Sequence, residues 1–318
     1  MPFAPSRAGQ RIHAPAGRDP RSSRAGQRIH RASGHAAVAP RRPGARSARL
    51  AAGGGPPQGL AAPPASPAES SLPPGKAWLA GVGPGGWDHV TLKVARLISQ
   101  ADALVYDDLG AAELCAAAPP WAEAHFVGKR GGQAGSTKQP EIDALLVRLC
   151  AAGKRVVRLK GGCPSTFSRV RSEAAALAAA GCAFELVPGV STATSAPVLA
   201  GLPLTDAALA GAYAVVSGHD AAGVDWAAFA RIPTLVVLMG GRALPAIVQQ
   251  LLATGWAQDT PAALVKAAGT PAQRCWFSTL ARLERDTAPG APLSPCVIVV
   301  GKVAGLPAAW AAAAPPPG

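Results

Sequence analysis

Two α/β domains are predicted for this chain of 318 residues on three observations. Short apolar runs of strand length alternate with amphipathic stretches of ten or more residues, which is the rhythm of a parallel-rich sheet covered by helices. That rhythm breaks once, in a segment rich in Pro, Gly and hydroxyl residues, and then restarts. No apolar run approaches the ~18 residues of a membrane span; runs such as Thr234–Gly240 (TLVVLMG) have the length of a buried strand.

The elements follow in order. Ala77–Val82 (AWLAGV) reads as a strand, and Gly83-Pro84-Gly85-Gly86 as a turn that no helix or strand can continue through. Thr91–Gln100 puts Leu92, Ala95 and Leu97/Ile98 on one helical face. Ala103–Tyr106 (ALVY) is the next strand and ends at Asp107. Helix Pro140–Ala152, strand Arg155–Leu159, loop Lys160–Pro164, helix Glu173–Ala180 and strand Ala183–Val187 complete the first half. The break, Pro188–Thr205, surrounds a short helix and reads as a domain junction. Strands Ala212–Ser217 and Thr234–Met239, helix Leu244–Ala253, and strands Ala262–Lys266 and Cys296–Val300 make the second half. The expected organisation is therefore a tail over residues 1–75, domains over 76–187 and 211–304 joined by 188–210, and an Ala/Pro-rich tail over 305–318.

Charge is unevenly placed. Of a net +13, residues 1–75 carry +9, from eleven Arg against Asp19 and Glu69. This segment lacks any core-forming pattern and is expected to be a disordered basic arm. Its octapeptide SRAGQRIH, at Ser6–His13 and again at Ser23–His30, is far short of what a solenoid needs. Translated upstream sequence from a misassigned start codon is a companion expectation; a transit peptide, with a plastid instead of a cytoplasmic location, also fits the Arg- and Ser-rich, acid-poor composition but is less favoured. The body, at +4, argues against nucleic acid and suits a polyanionic small substrate. Six scattered cysteines without a C-x-x-C pair read as buried small residues rather than a disulfide framework or metal site.

Every loop singled out lies at the carboxyl end of a strand, where ligands of such folds bind. Gly81–Gly86 (GVGPGG) is a poor dinucleotide fingerprint, because Pro84 removes an N–H that a pyrophosphate would need. A tight turn that lets backbone approach a ligand is the better reading. Asp107 is either a turn cap or a carboxylate able to accept a proton at a cleft rim. Lys129, in Val127-Gly128-Lys129-Arg130, is either a solvated surface cation or a proton donor and anion contact.

The runs AWLAGVGPGGWDHVTLKVARLISQADALVYDDL, VGKRGG, EIDALLVRL, GKRVVRLKGGCPSTFSR, FELVPGVSTATSAPVLAGLPLT, VSGH, TLVVLMG and VGKV together resemble the tetrapyrrole methylase family. The resemblance is to its uroporphyrinogen-III C-methyltransferase branch and runs from Lys76 to Val303. It implies a homodimer of two α/β domains, with S-adenosyl-L-methionine in the cleft between them and no metal. It implies that uroporphyrinogen III is methylated at C2 and C7 to precorrin-2, on the way to sirohaem or cobalamin. Carried over residue by residue, Asp107 is the proton acceptor and Lys129 the proton donor. Pro84, Gly161, Gly162, Cys163, Thr166, Ser191, Thr192, Met239 and Ala268 are the cofactor contacts. Lys129, Arg130, Lys138 and Lys160 are available to the substrate's carboxylates.

The chain also departs from that pattern. Gly161-Gly162-Cys163-Pro164 stands for G-G-D-P, and Gly83-Pro84-Gly85-Gly86 for G-P-G-D. Phe167-Ser168-Arg169-Val170-Arg171-Ser172-Glu173 stands for F-G-R-G-G-E-E. Lost glycines restrict the loop, and Cys163 replaces a fixed acceptor by a weak one. Methylation of a later corrinoid precursor, or a non-catalytic role with an altered cofactor loop, are the alternatives.

Overall fold

The computed structural model describes residues 71–107, 112–128, 137–287 and 292–313. Most of the expected basic tail, and the site assignment at Lys129, lie outside the described residues. All of the described residues fall within one compact unit.

The first sheet contains β1 (Lys76–Gly81), β2 (Ala103–Tyr106), β3 (Glu123–Phe126), β4 (Arg155–Lys160) and β5 (Ala183–Val187), in the order β3-β2-β4-β1-β5. Every pairing in it is parallel. Both faces are covered, which is why its central strands read as continuous apolar runs. Trp78 and Ala80 face one core with α1 (Leu92–Gln100), while Ala77 and Leu79 face the other with α2 (Gln139–Ala151) and α3 (Val170–Ala179).

Helix α1 starts one residue later than its pattern suggested, because Thr91 is its N-cap and accepts the Val94 N–H at 3.3 Å. Its buried stripe is Val94, Leu97 and Ile98, with Ala101 buried just past its end, and Leu92 is exposed. Helix α3 begins at Val170, three residues earlier than expected, behind Arg169 in a left-handed conformation. Packed structure also begins before Lys76: the Leu72 N–H donates to Gln100 Oε1, and its side chain packs on the first core.

The second sheet contains β6 (Tyr213–Ser217), β7 (Thr234–Leu238), β8 (Pro261–Lys266), β9 (Arg274–Thr279) and β10 (Cys296–Gly301), ordered β6-β7-β10-β8-β9. Only β6 and β7 pair in parallel; β10 runs antiparallel to β7 and β8, and β9 antiparallel to β8. Strand β9 has no counterpart in the sequence reading, since its alternation RCWFST is short and half polar. One face packs against α5 (Leu244–Ala253) and α6 (Leu283–Asp286). The other packs against α4 (Thr192–Leu199), the short helix of the expected junction, through Ala193 and Ala196. After β10, Leu306–Ala313 forms α7 where the sequence was read as a tail, consistent with the high helix propensity of Ala.

Polar ties hold β2, β4 and α3 together. Asp102, just before β2, accepts the Arg155 backbone N–H at 2.9 Å and its side-chain Nε and Nη2 at 2.8 and 2.6 Å. These contacts hold the Asp102 carboxyl below its ordinary range. Deeper, Glu173 is fully buried and accepts Lys160 Nζ at 2.7 Å on each oxygen and Arg158 Nε at 3.2 Å. Burial, helped by the Arg158 charge, pushes the Lys160 ammonium down against the pull of Glu173.

Two outcomes are expected. Glu173→Ala leaves Lys160 and Arg158 buried without that partner, and should cost about 3–5 kcal/mol of stability in urea unfolding. Asp102→Asn should destabilise the protein at neutral pH. Because the native carboxyl is depressed, the wild-type advantage is full above about pH 4, its unfolded value, and fades as pH falls further. Melting curves of both proteins between pH 7 and 2.5 check this.

Candidate active site

Because the first sheet is wholly parallel, the loops after β1, β2, β4 and β5 all leave from one edge. Three of them meet backbone to backbone. Gly83 and Gly162 exchange hydrogen bonds, Gly162 N to Gly83 O at 2.7 Å and Gly83 N to Gly162 O at 3.2 Å. A Cβ on Gly81 would lie 2.5 Å from Gly162 O and 2.8 Å from the Gly189 backbone, so side chains are excluded where these loops cross. A Cβ on Gly162 would press on Thr192 Oγ1 at 2.9 Å, which brings the start of α4 to the same point.

The β1 loop also reaches the second sheet. A Cβ on Gly85 would meet Thr270 Cγ2 at 2.9 Å, and one on Gly269 would meet Pro84 Cγ at 3.2 Å. Pro84 therefore lies against the loop after β8, which begins Ala267-Ala268-Gly269, with Ala268 buried.

The β4 loop carries Gly161, Gly162, Cys163 and Thr166. Cys163 Sγ lies 3.1 Å from Ser165 Oγ, and the backbone N–H groups of Gly189 and Ser165 are turned to favour its thiolate. Burial works to raise this thiol, but the donated bonds outweigh it and leave it below its ordinary value. The residues standing in place of the glycines, Ser168, Val170 and Arg171, do not have positive φ; Phe167 and Arg169 do, at 47° and 59°. The expected restriction therefore does not fall on the replaced positions, two of which begin α3 in ordinary helical backbone.

Beside this loop is a cleft of about 420 Å³, within the ~300–1,000 Å³ range of small-molecule sites. Ser165, Thr166 and Phe167 form one wall, and Ser191, Ala193 and Thr194 at the start of α4 a second. Tyr213 and Val215 of β6 close it from the other sheet. Of the residues singled out in the sequence, Thr166 and Ser191 line this cleft, and Gly161, Gly162, Cys163 and Thr192 adjoin it in the chain without lining it. Met239 follows β7, is 44% exposed and has φ 59°. Such backbone in a non-glycine residue costs on the order of 1–3 kcal/mol and is concentrated at functional sites.

Asp107 leaves the end of β2 on the same edge, with Oδ2 3.2 Å from Arg158 Nη2. Lys160 does not face substrate as expected: it is 4% exposed and paired with Glu173, so it is corrected from anion contact to core cation. Lys138 instead precedes α2, where its N–H donates to Glu141. Phe167, Thr194 and Tyr213 were missed as lining, and nothing in their local pattern marks them. Arg158 and Glu173 were missed too, although two cations at i and i+2 in a buried strand were a legible signal.

The rim offers side-chain-free backbone, hydroxyls and an open cleft, a donor set that fits an adenosyl sulfonium cofactor held mainly by main chain. A family model described as Tetrapyrrole (Corrin/Porphyrin) Methylases matches residues 76–284. The uroporphyrinogen-III C-methyltransferase of Synechococcus elongatus is 42% identical over 237 residues, which are 74% of this chain and 97% of that protein. A siroheme synthase of Chromobacterium violaceum is 43% identical over 237 residues, but the chain spans only 50% of its length. Among solved structures, the uroporphyrin-III C-methyl transferase of Thermus thermophilus complexed with S-adenyl homocysteine is similar at 37% identity and a TM-score of 0.63. It covers 73% of this chain and 99% of that one. With a match that begins at β1 and extends into α6, the chain belongs to the tetrapyrrole methylases.

Proposed function

We propose that this protein methylates uroporphyrinogen III at C2 and C7, giving precorrin-2 for sirohaem or cobalamin synthesis. The observation that carries the reading is the crossing of the β1, β4 and β5 loops without side chains, beside a cleft walled by the β4 loop, the start of α4 and β6. The identity to uroporphyrinogen-III C-methyltransferases supports it further. The working unit is read as two α/β halves, 76–187 and 211–304, joined by 188–210 and paired as a homodimer.

S-Adenosyl-L-methionine would supply an electrophilic methyl group on sulfonium. Pro84, Gly161, Gly162, Cys163, Thr166, Ser191, Thr192, Met239 and Ala268 would hold it, largely through backbone and hydroxyls. Such a displacement needs orientation and the exclusion of water, which rigid loops can provide. The attacked pyrrole carbon already bears a side chain and becomes quaternary, so the balancing proton leaves from a ring nitrogen or the adjoining meso carbon, and Asp107 is the proposed carboxylate that accepts it. Lys129 is the proposed donor. With Lys160 buried, Lys129, Arg130 and Lys138 are kept as the proposed contacts to the substrate's carboxylates, joined among the described residues by the exposed Arg169 and Arg171 at the start of α3.

Incubation of the purified protein with uroporphyrinogen III and S-adenosyl-L-methionine should produce the precorrin-2 chromophore. No turnover with intact cofactor binding would instead favour a non-catalytic role, and turnover only with a later precursor would move the enzyme along the pathway. Asp107→Asn should lower turnover by roughly 10²–10⁴ while leaving cofactor binding little changed, as calorimetry would show. Normal turnover with weakened binding would remove the acceptor role.

Cys163→Asp replaces a weak acceptor by a charged one facing the same N–H donors. It should tighten the cofactor by about 1.5–3 kcal/mol if the loop then grips better. Side-by-side titrations test this, and unchanged or weaker binding would mean that the loop is built around the thiol.

A further inference from the structure

From the most elaborate polar feature of the first sheet, in which half-buried Asp107 meets the buried Arg158, Glu173 and Lys160, the proposed chemistry uses Asp107 alone. The Arg158 side chain is 5% exposed. Its Nη1 donates to Leu159 O at 2.6 Å and Val105 O at 3.3 Å, its Nε to Glu173 Oε1, and its Nη2 to Asp107 Oδ2. Acceptors on β2, β4 and α3 therefore fix the guanidinium before Asp107 is considered. Glu173 in turn is clamped by Lys160 through both of its oxygens.

Charge arithmetic assigns the partners. Glu173 and Lys160 already balance, and both are almost completely removed from solvent. Arg158 is thus not required to neutralise Glu173; the charge left for it is that of Asp107, whose side chain is 20% exposed at the rim. A flexible carboxylate at a loop start can point many ways, whereas one bonded to an immobilised guanidinium cannot.

We propose that Arg158 is a positioning residue for the methylation: anchored by β2, β4 and α3, it fixes the carboxylate of Asp107 at the mouth of the first sheet. This rests on the reading of Asp107 as proton acceptor. Arg158 need not touch substrate or cofactor, and its effect is exerted through Asp107.

The test is a double-mutant cycle on the full chain. Arg158→Lys keeps the buried charge but not the fork, and Arg158→Met, run in parallel, leaves Glu173 paired with Lys160. Each is made alone and with Asp107→Asn. The kcat, the KM for uroporphyrinogen III, the calorimetric affinity for S-adenosyl-L-methionine and the melting temperature are recorded for every protein.

If Arg158 acts through Asp107, the Arg158 variants lower kcat by about tenfold or more alone, but less than about twofold once Asp107 is already Asn. Cofactor affinity should stay within about twofold of wild type. Equal losses of kcat in both backgrounds would overturn the positioning role while leaving Asp107 as acceptor. Normal kcat in Asp107→Asn alone would overturn the acceptor reading itself, and this inference with it. Loss of the melting transition in both Arg158 variants would assign the residue to the core alone, and that outcome also overturns the proposal.

Discussion

The close approach of three backbone loops is the constraint on which the rest of the site depends. Gly81, Gly162 and Gly189 stand where the exits of β1, β4 and β5 cross, and a single Cβ at Gly81 would come within 2.5 Å of the Gly162 carbonyl oxygen. Because the crossing excludes side chains, the strands deliver main-chain groups to one edge, and the start of α4 can be drawn against Gly162. The cleft wall formed by Ser191 and Thr194 follows from that contact, since α4 is at the same time fastened to the second sheet through Ala193 and Ala196.

Charge burial supplies the second organising element. A parallel sheet covered on both faces leaves little room for ions, yet β4 turns Arg158 and Lys160 toward the α3 side, where Glu173 meets both. Desolvation makes this arrangement expensive unless every member is paired. The same set extends outward to Asp107, so one network ties α3 to β4 in the interior and ends in a carboxylate at the rim. Stability and site geometry are coupled there, and Glu173 belongs to the first of these roles more than to the second.

Backbone strain among the described residues falls at strand exits, and at Phe167 it reaches the cleft wall. Phe167, Arg169, Met239 and Ala267 all adopt positive φ without being glycine, and each lies in a loop at the carboxyl end of a strand or at the start of the helix that follows it. Packing elsewhere must hold them there. The replaced glycines turn out to be the easier losses: Val170 and Arg171 continue into α3 with helical backbone, and Cys163 pairs with the Ser165 hydroxyl.

The sequence by itself determined the strand and helix alternation, because period and punctuation are local properties, and it determined the family, because motifs such as VRLKGGCP and VPGVSTAT keep their order and spacing. Local punctuation likewise put Pro84, Gly161, Gly162, Thr166, Ser191 and Thr192 in the segments that follow β1, β4 and β5. Only the tertiary structure decided that Lys160 is a core cation, since its partner Glu173 is 13 residues away on a helix packed against its strand. It also decided the antiparallel pairings of the second sheet, including β9, because hydrogen-bonding partners between strands are chosen by packing across the sheet. Tyr213 joined the cleft on the same terms: its place depends on how β6 stands beside α4 and the β4 loop, and no local pattern records a contact between residues so far apart in the chain.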